Sequence, residues 1–398
     1  MTVFPLISGK SMESAKERIF LSTPHMTGNE MKYIHQAFET NWIAPLGPNV
    51  EAFERQIADY IGVKSSLAVS SGTSAIHLAL QLIGVNPGDK VFCSTLTFVA
   101  SANPILYERA EPVFIDSEEE SWNMSPEALK KAFLAAAEEG ELPKAVIIVH
   151  LYGQSAKMDE LLEICNSYNV PVIEDAAESL GSTYKGKKSG SMGLFSIYSF
   201  NGNKIITSSG GGMLVSNDEE AVIRARHLAT QAKDPAPYYE HSEKGFNYRL
   251  SNVLAGIGRA QLEVIENRVA IRRSNFFTYA NRLGQIPGIS FQPELEGTKS
   301  NRWLSVLLLD PNHIDTTPTA LKEVLEAENI EGRHVWKPLH MQKLFAGCKF
   351  YKHGEGEAVS EKLFKYGFCL PSGSNMSADQ QERVIDVLER SFDAYGIK

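Results

Sequence analysis

The sequence predicts an α/β protein with a large domain built on a mixed, mostly parallel sheet and a smaller C-terminal α+β domain. Short apolar strand patterns alternate with amphipathic helix patterns from about residue 50 to Asp175, which is typical of a parallel sheet covered by helices on both faces. After Asp175 this alternation stops. At 398 residues the chain is also too long for one small core. We therefore predict a large domain with an N-terminal arm at residues 1–265 and a small domain at residues 266–398.

The elements can be assigned in order along the chain. The segment VEAFERQIADYI comes first and carries its apolar residues on one helical face. Strand and helix patterns then alternate, beginning with a strand, through SLAVSS, GTSAIHLALQLIG, KVFCST, FVASANPILYE, EPVFID, SPEALKKAFLAAAEE (N-cap Ser125), KAVIIVHL, KMDELLEICNSYN and VPVIEDAA. Further on we predict strands at SIYSF, GMLVS and WLSVLLLD, one long helical pattern at AGIGRAQLEVIENRVAIRRSNFFTYANRL, and two helices after WLSVLLLD.

Composition and charge narrow the functional classes. The net charge is −9, and this acidity argues against nucleic acid or an anionic membrane as the main partner. Four widely spaced cysteines without a CxxC pair indicate neither a zinc site nor a disulfide framework, so we expect no metal and a reducing, cytoplasmic location. The N-terminal segment lacks the apolar core of a secretion signal, and no apolar run of about 18 residues predicts a membrane span.

One motif is a weak match to a phosphate-binding loop. GSTYKGKK has the Gly-x4-Gly-Lys spacing, but it places Lys188 where such a loop needs Ser or Thr for magnesium. The motif also lies between predicted strands, with no helix after it. We therefore predict an ordinary turn here.

A better anion site follows the first buried strand. In SSGTSAIHLAL a strand ends, Gly72, Thr73 and Ser74 form a turn, and a helix begins. Free N–H groups, the positive end of the helix dipole and two hydroxyl groups suit a phosphate, although a plain N-cap explains this stretch equally well when it is taken alone. His77 lies on the same helix and is predicted to be packed rather than catalytic.

A lysine in a glycine-rich loop and an acidic strand end complete the pattern. Lys204 lies in SFNGNKIITSSGGGM, whose small residues predict tight turns or a close backbone approach. Glu174 and Asp175 end the buried strand of VIEDAAESLG. When each residue is considered alone, the sequence favours a solvated loop position for the lysine and a capping or ion-pair role for either acid. Charges at the carboxyl end of a parallel strand, however, lie where open α/β sheets bind ligands. With the phosphate turn, they supply what pyridoxal phosphate needs: a lysine for the Schiff base, a carboxylate that keeps the pyridine nitrogen protonated, and phosphate donors.

With these residues in place, the chain resembles the DegT/StrS family of pyridoxal-phosphate-dependent sugar aminotransferases. The matching motifs cover nearly the whole length and are NWIAPLGPNVEAFE, SSGTSAIHLAL, TFVASANPI, PVFIDSEEESWNM, VHLYGQSAKMDEL, VIEDAAESLGSTYKGKKSG, SFNGNKIITSSGGGM, GFNYRLSNVLAGIGRAQLE and KPLHMQ. The resemblance implies the aspartate-aminotransferase fold (fold type I) with pyridoxal 5′-phosphate as cofactor. It also implies that Lys204 is the lysine that forms the Schiff base.

The resemblance assigns the cofactor contacts residue by residue. Lys204 and Asp175 are the implied catalytic residues, with Asp175 on the pyridine nitrogen and Phe98 stacked on the ring. The implied phosphate contacts are Gly72, Thr73, Ser74 and Ser199. The family often has Gln where this chain has Glu178, near the phenolic oxygen of the cofactor, so Glu178 departs from the pattern and its role is open.

The same resemblance bears on the subunits and the substrate. Asn247, in GFNYR, would reach the phosphate from the neighbouring subunit, which implies a homodimer with shared active sites. Arg249 and His334 would meet a sugar nucleotide, since the fork of an arginine suits a diphosphate. NGNKIITSSGGG and FCLPSGSNMS resemble the bacillosamine-type branch. That branch uses glutamate to aminate C4 of UDP-linked 2-acetamido-4-keto-2,6-dideoxyhexoses for surface polysaccharide or glycoprotein synthesis.

Alternatives stay open at this point. Another 3- or 4-keto nucleotide sugar, linked to dTDP or GDP, is an alternative acceptor. A sugar dehydratase of the same fold would carry histidine in place of Lys204. A non-catalytic regulator that binds the cofactor would normally show a DNA-binding domain and a basic patch, and the sequence shows neither.

Overall fold

The computed structural model describes residues 17–395. The start of the predicted N-terminal arm, residues 1–16, and residues 396–398 lie outside the described part. In chain order the helices are α1 (Glu30–Glu39), α2 (Pro48–Ile61), α3 (Gly72–Ile83), α4 (Asn103–Tyr107), α5 (Pro126–Glu139), α6 (Met158–Ser167), α7 (Glu219–Ala229), α8 (Asn252–Leu262), α9 (Ile265–Leu283), α10 (Pro318–Ala327), α11 (Val359–Tyr366) and α12 (Ala378–Tyr395).

A central eight-stranded sheet organises the larger part of the molecule. The strands of the whole chain are β1 (Ser65–Val69), β2 (Lys90–Ser94), β3 (Glu111–Ile115), β4 (Ala145–Val149), β5 (Val172–Asp175), β6 (Thr183–Tyr184), β7 (Lys187–Lys188), β8 (Phe195–Ser199), β9 (Gly212–Ser216), β10 (Ile289–Phe291), β11 (Thr298–Lys299), β12 (Ser305–Leu309), β13 (Arg333–His334), β14 (Phe350–Tyr351) and β15 (Gly367–Leu370). The central order is β1-β9-β8-β5-β4-β2-β3-β14. Strand β9 is antiparallel to both of its neighbours, and the other pairs of this sheet are parallel.

Helices cover both faces of this sheet, as the alternation of strand and helix patterns predicted. On β2, Val91 and Cys93 pack with α3 and α7 in one apolar core, whereas Phe92 between them packs with α5 and α6 in another. Successive strand residues point to opposite faces, so a strand between two helical layers must be apolar along its whole length. The mixed, mostly parallel sheet of the predicted fold class is thereby confirmed.

A second, antiparallel sheet lies in the C-terminal region, with strand order β10-β12-β15-β13. Its core contains residues of α9, α10 and α12, among them Tyr279, Leu321 and Leu388. The short strand β14 lies within the same stretch of sequence but adds to the edge of the central sheet beside β3. The boundary between residues 265 and 266 stays a prediction.

Three details differ from the sequence prediction. FVASANPILYE forms a 3-10 turn at Val99–Ser101 and then the short helix α4, which begins at Asn103 and has Pro104 in its first turn, where proline fits. The long helical pattern is divided into α8 and α9 at Glu263 and Val264, where no glycine or proline signals the break. Three α-helices follow β12 in the described chain, rather than two.

The weak phosphate-loop match is a β-hairpin, as predicted for a turn. Strands β6 and β7 pair across Lys185 and Gly186, and both turn residues have positive φ. In the part of the chain that the structure describes, none of the helices combines the length and the apolar character that a membrane crossing requires.

Candidate active site

A cavity of about 500 Å³ opens where β5 and β8 end and α3 begins. Among the residues that line it are Gly72, Thr73, Phe98, Asp175, Glu178, Ser199 and Lys204, all of which the sequence predicted for one site. They come from separate parts of the chain. The parallel strands bring them together because their carboxyl ends meet at one edge of the sheet.

The N-terminus of α3 offers a binding site for an anion. The N-cap is Ser71, whose Oγ accepts a hydrogen bond from the Ser74 N–H at 3.0 Å. The Ser74 hydroxyl lies 3.0 Å from Ser70 Oγ and 2.8 Å from Ser71 Oγ. Ser74 is therefore placed behind the cavity wall, whereas Gly72 and Thr73 face the cavity. Free N–H groups at a helix start, together with the helix dipole, suit a phosphate.

The glycines of the loop SFNGNKIITSSGGGM, residues 199–213, permit a close backbone approach to this helix start. Gly212 lies opposite Val69 in the β1–β9 pair, and a Cβ on Gly212 would be 2.4 Å from the carbonyl carbon of Ser71. Gly211 has a φ of 142°, which is strained for other residues. No room is left for a side chain at residue 212, so the predicted close approach is confirmed.

Adjacent acids at the end of β5 face opposite sides. Asp175 lines the cavity, and its carboxylate accepts hydrogen bonds from Ser101 Oγ at 2.6 Å and from the Ala177 N–H at 3.2 Å. Glu174 is fully buried on the other face, 2.8 Å from His150 Nε2, and accepts from the backbone N–H of Gly190 at 2.9 Å. Burial acts to raise the pKa of Glu174, but His150 and backbone N–H groups outweigh it and hold the pKa below its usual range. Glu174 is thus the structural acid of the two.

Lys204 projects into the cavity between an acid and an aromatic face. Its Nζ lies 3.5 Å from Glu178 Oε1 and 4.1 Å from the ring centroid of Trp303. The second oxygen of Glu178 accepts a hydrogen bond from the Tyr152 N–H at 2.7 Å. Burial raises the pKa of the Glu178 carboxyl, and the positive charge of Lys204 opposes that rise.

Aromatic side chains form the wall opposite α3. Phe98 is half-exposed towards the cavity, and its ring lies 5.5 Å from that of Trp336. The indole Nε1 of Trp303 donates to the carbonyl oxygen of Asn203 at 2.7 Å, which fixes the backbone next to Lys204. These rings give the cavity an apolar surface that suits a flat aromatic ligand.

The remaining predicted residues lie away from this cavity. Asn247 is exposed, and Arg249 is half-buried beside β1 with a lowered pKa because of the burial of its guanidinium group. His334 lines a small adjoining cavity instead, with its Nε2 3.3 Å from Thr319 Oγ1. Their predicted roles therefore need a second subunit or a bound substrate, and they stay predictions.

Sequence reasoning missed several residues of the cavity wall. Ser101 could have been found within TFVASANPI, and Arg333 and Trp336 stand next to KPLHMQ. Trp303 carries no signal of its own in the sequence. Arg333 reaches the cavity, and its guanidinium group donates to Glu331 Oε1 from Nε at 2.9 Å and from Nη2 at 2.6 Å.

The donor set fits pyridoxal phosphate. A helix start with a hydroxyl from Thr73 suits the phosphate, and the apolar surface beside Phe98 suits the ring. A buried carboxylate, Asp175, and an amine, Lys204, open into the same cavity. Glycine at residue 212 leaves the start of α3 undisturbed, since a Cβ there would collide with its backbone.

Comparison with known proteins identifies the family. Residues 24–389 match the DegT/DnrJ/EryC1/StrS aminotransferase family. Over 382 residues the chain is 59% identical to EpsN of Bacillus subtilis (strain 168), which is named as a pyridoxal phosphate-dependent aminotransferase; this covers 96% of the chain and 98% of EpsN. It is 36% identical over 374 residues to the GDP-perosamine synthase of Caulobacter vibrioides, covering 94% of the chain and 98% of that enzyme.

A solved structure agrees with this result. The crystal structure of a DegT DnrJ EryC1 StrS aminotransferase from Brucella abortus superimposes with a TM-score of 0.84 at 28% identity, covering 92% of this chain and 95% of that one. The predicted family, fold type I architecture and cofactor are confirmed. The chain therefore belongs to the DegT/DnrJ/EryC1/StrS aminotransferase family and is a pyridoxal-phosphate-dependent sugar aminotransferase.

Proposed function

We propose that this enzyme transfers the amino group of glutamate to C4 of a UDP-linked 2-acetamido-4-keto-2,6-dideoxyhexose, for surface polysaccharide or glycoprotein synthesis. The observation that carries amino transfer is the convergence of Lys204, Asp175 and the start of α3 on one cavity. The choice of sugar is supported by the resemblance of the loop NGNKIITSSGGG to the bacillosamine-type branch.

Different residues of the chain have different roles in the proposed reaction. Pyridoxal phosphate, when bound, supplies a carbonyl carbon for amines and a ring that accepts electrons. Gly72, Thr73 and Ser199 bind the phosphate, and Asp175 holds the proton of the ring nitrogen. Ser101 orients that carboxylate through its 2.6 Å hydrogen bond. Lys204 moves protons at its Nζ in both half-reactions.

Arg333 is the proposed anchor for the anionic end of a substrate. Within residues 17–395, Arg333 and Lys204 are the cationic side chains on the wall of this cavity, and the side chain of Arg333 is about half exposed. Glu331 accepts hydrogen bonds from Nε and Nη2 of Arg333. A carboxylate of glutamate or the diphosphate of a sugar nucleotide would meet the free edge of the same guanidinium group.

The proposed enzyme is a cytoplasmic homodimer. Asn247 is exposed and does not line the cavity of its own chain, which is compatible with a contact to the site of a partner subunit. Trp42, Ile43 and Leu46 are large apolar residues with 40–50% of their surface exposed, and a second copy would cover them. All four cysteines are free, which supports a reducing compartment.

A GDP-linked keto sugar is the second candidate acceptor. The 36% identity with a GDP-perosamine synthase over 94% of the chain favours it. The two candidates share the donor, the cofactor and the residues around Lys204, so they differ in the nucleotide and in the substituents of the keto sugar.

The test is an incubation of the purified enzyme with glutamate and a panel of 4-keto nucleotide sugars linked to UDP, GDP or dTDP. We expect 2-oxoglutarate to form together with a C4 amine on the UDP-linked 2-acetamido sugar, identified by NMR. Preferred turnover of the GDP-linked sugar would favour the second candidate. No transfer to any member of the panel would contradict both.

A further inference from the structure

The contact between Lys204 and Glu178 has the geometry of a proton-transfer pair. Nζ lies 3.5 Å from Oε1, and both groups face the cavity that would hold the reacting carbonyl. Glu178 is 6% exposed and Lys204 is largely buried, so water competes little for either charge. A neutral amide at residue 178, as the resembled family often has, cannot accept a proton in this position.

We propose that Glu178 is a catalytic residue, the proton acceptor for Lys204. The inference rests on the proposed aminotransferase function. In the resting pair an ammonium faces a carboxylate. When a carbonyl arrives, the proton leaves Nζ and forms an O–H bond at Oε1. The electron pair left on Nζ then bonds to the carbonyl carbon while the π pair of the C=O bond moves to its oxygen, and a second proton of Nζ passes to that oxygen. One positive and one negative charge become two neutral groups, so the step is balanced and leaves no net charge in the buried site.

The surroundings of Glu178 favour this role. Burial raises the pKa of its carboxyl, the Lys204 charge lowers it, and the nearby Asp175 carboxylate raises it further. The other titratable neighbours are the Tyr152 phenol and the Cys369 thiol. Burial raises the pKa of the phenol, and burial raises that of the thiol to about 12, so both stay neutral near pH 7. On balance the pKa of the Glu178 carboxyl is raised, which favours the protonated form that an acceptor reaches when it takes the proton of Lys204.

The variant Glu178→Gln isolates the charge. Its amide oxygen can still accept the hydrogen bond of the Tyr152 N–H, which Glu178 accepts at 2.7 Å, so the backbone contact is kept. The matched control is Glu138→Gln, the same chemical change at an exposed residue of α5. A second variant, Glu178→Asp, keeps the charge but withdraws it by one methylene, and thermal melting of each variant reports folding.

Two measurements separate the proposed role from a structural one. The first is acetic anhydride labelling of Lys204 in the cofactor-free protein at fixed pH, read by peptide mass spectrometry. Loss of the carboxylate frees the amine, so labelling should rise about tenfold in Glu178→Gln. The second is the single-turnover half-reaction of the cofactor-loaded enzyme with glutamate alone. It should slow about tenfold or more, because the proton acceptor is gone.

Opposite changes in the two measurements, with Glu178→Asp in between and Glu138→Gln unchanged, are the expected result. Unchanged labelling in Glu178→Gln would overturn the proposed pair, and a fall in both measurements would assign Glu178 a structural role instead. Labelling needs neither cofactor nor substrate. If glutamate or the sugar is wrongly assigned, the wild type fails in the half-reaction or the panel assay while the labelling result still stands.

Discussion

Glu174 and Asp175 show at the residue scale how one strand separates two acidic side chains. Successive residues of β5 point to opposite faces, so Asp175 reaches the cavity while Glu174 is enclosed by His150 and the backbone of residues 190–193. The Ala156 N–H donates to Nδ1 of His150 at 3.1 Å, which leaves Nε2–H to donate to Glu174. The acid that binds the loop and the acid that faces the ligand are thus fixed by strand register.

We predict that Asp175→Asn folds and binds the cofactor but reacts slowly. Asparagine keeps nearly the same shape and can still accept from Ser101. Loss of a charge-assisted contact in an enclosed site costs about 3 kcal/mol, or roughly a hundredfold in rate. Asp175→Glu should also be slow, because it displaces the carboxylate by about 1 Å. Melting temperature and single-turnover rates of both half-reactions should be measured together. Near-normal rates in the folded, loaded Asn variant would contradict the assigned role.

We also predict that the purified enzyme is yellow and that borohydride fixes the cofactor to Lys204. The amine is the one that projects into the cavity beside Glu178 and Trp303. Peptide mapping after reduction should place the adduct on Lys204, and Lys204→Ala should give none. An adduct on Lys185, Lys187 or Lys188, the lysines of the hairpin, would refute the assignment.

At the scale of secondary-structure elements, strand β9 lies in close contact with the start of α3. The antiparallel strand β9 is inserted between β1 and β8, so its first residue lies against the backbone that begins the helix. A Cβ on Gly212 would lie 2.4 Å from a Ser71 backbone atom, whereas one on Gly210 would meet nothing within 4 Å. Of these two glycines in one run, residue 212 therefore has no space for a side chain, whereas residue 210 has.

Gly212→Ala should move the start of α3 and weaken cofactor binding, whereas Gly210→Ala should do neither. The clash at Gly212 is with backbone atoms, which cannot swing aside as a side chain can. We expect a loss of stability of about 1–3 kcal/mol and a clear fall in cofactor affinity for Gly212→Ala. Thermal melting and a fluorescence titration of the apoprotein with pyridoxal phosphate provide the measurements. Equal behaviour of the two variants would show that the close approach is unimportant.

For the whole molecule, both sheets contribute to one cavity. The acids, the lysine and the helix start come from the central sheet, whereas Trp303, Arg333 and Trp336 come from the C-terminal region. The Trp303 indole bonded to Asn203 links the two near the catalytic lysine. Asn247 lies outside this cavity, which leaves its predicted phosphate contact to a second copy.

Shared sites predict complementation between two inactive variants. Mixed after partial unfolding, Lys204→Ala and Asn247→Ala chains form heterodimers in which one of the two sites is intact. With random pairing we expect roughly a quarter of wild-type activity. The control replaces Asn247→Ala by the double variant Lys204→Ala/Asn247→Ala, which should restore nothing. Demonstrated heterodimers without activity would argue against shared sites.

Much of the site could be predicted because its reactive residues lie at or just after strand ends, and the strands can be recognised from the sequence. Asp175 ends a strand, and Lys204 and the turn at Gly72 follow strands. The carboxyl ends of parallel strands meet at one edge of the sheet. The fold class followed from the same alternation. The reason for the glycines was also visible, since a run without side chains indicates a close backbone approach.

Only the tertiary structure decided which neighbours surround these groups. Trp303, Arg333 and the contact of Lys204 with Glu178 join segments that are far apart in sequence, so no local pattern reports them. The break between α8 and α9 was hidden because its residues continue the helical pattern. Sequence determines periodicity, turns and the order of chemical groups through local physics, whereas the distance between two side chains depends on how whole elements pack.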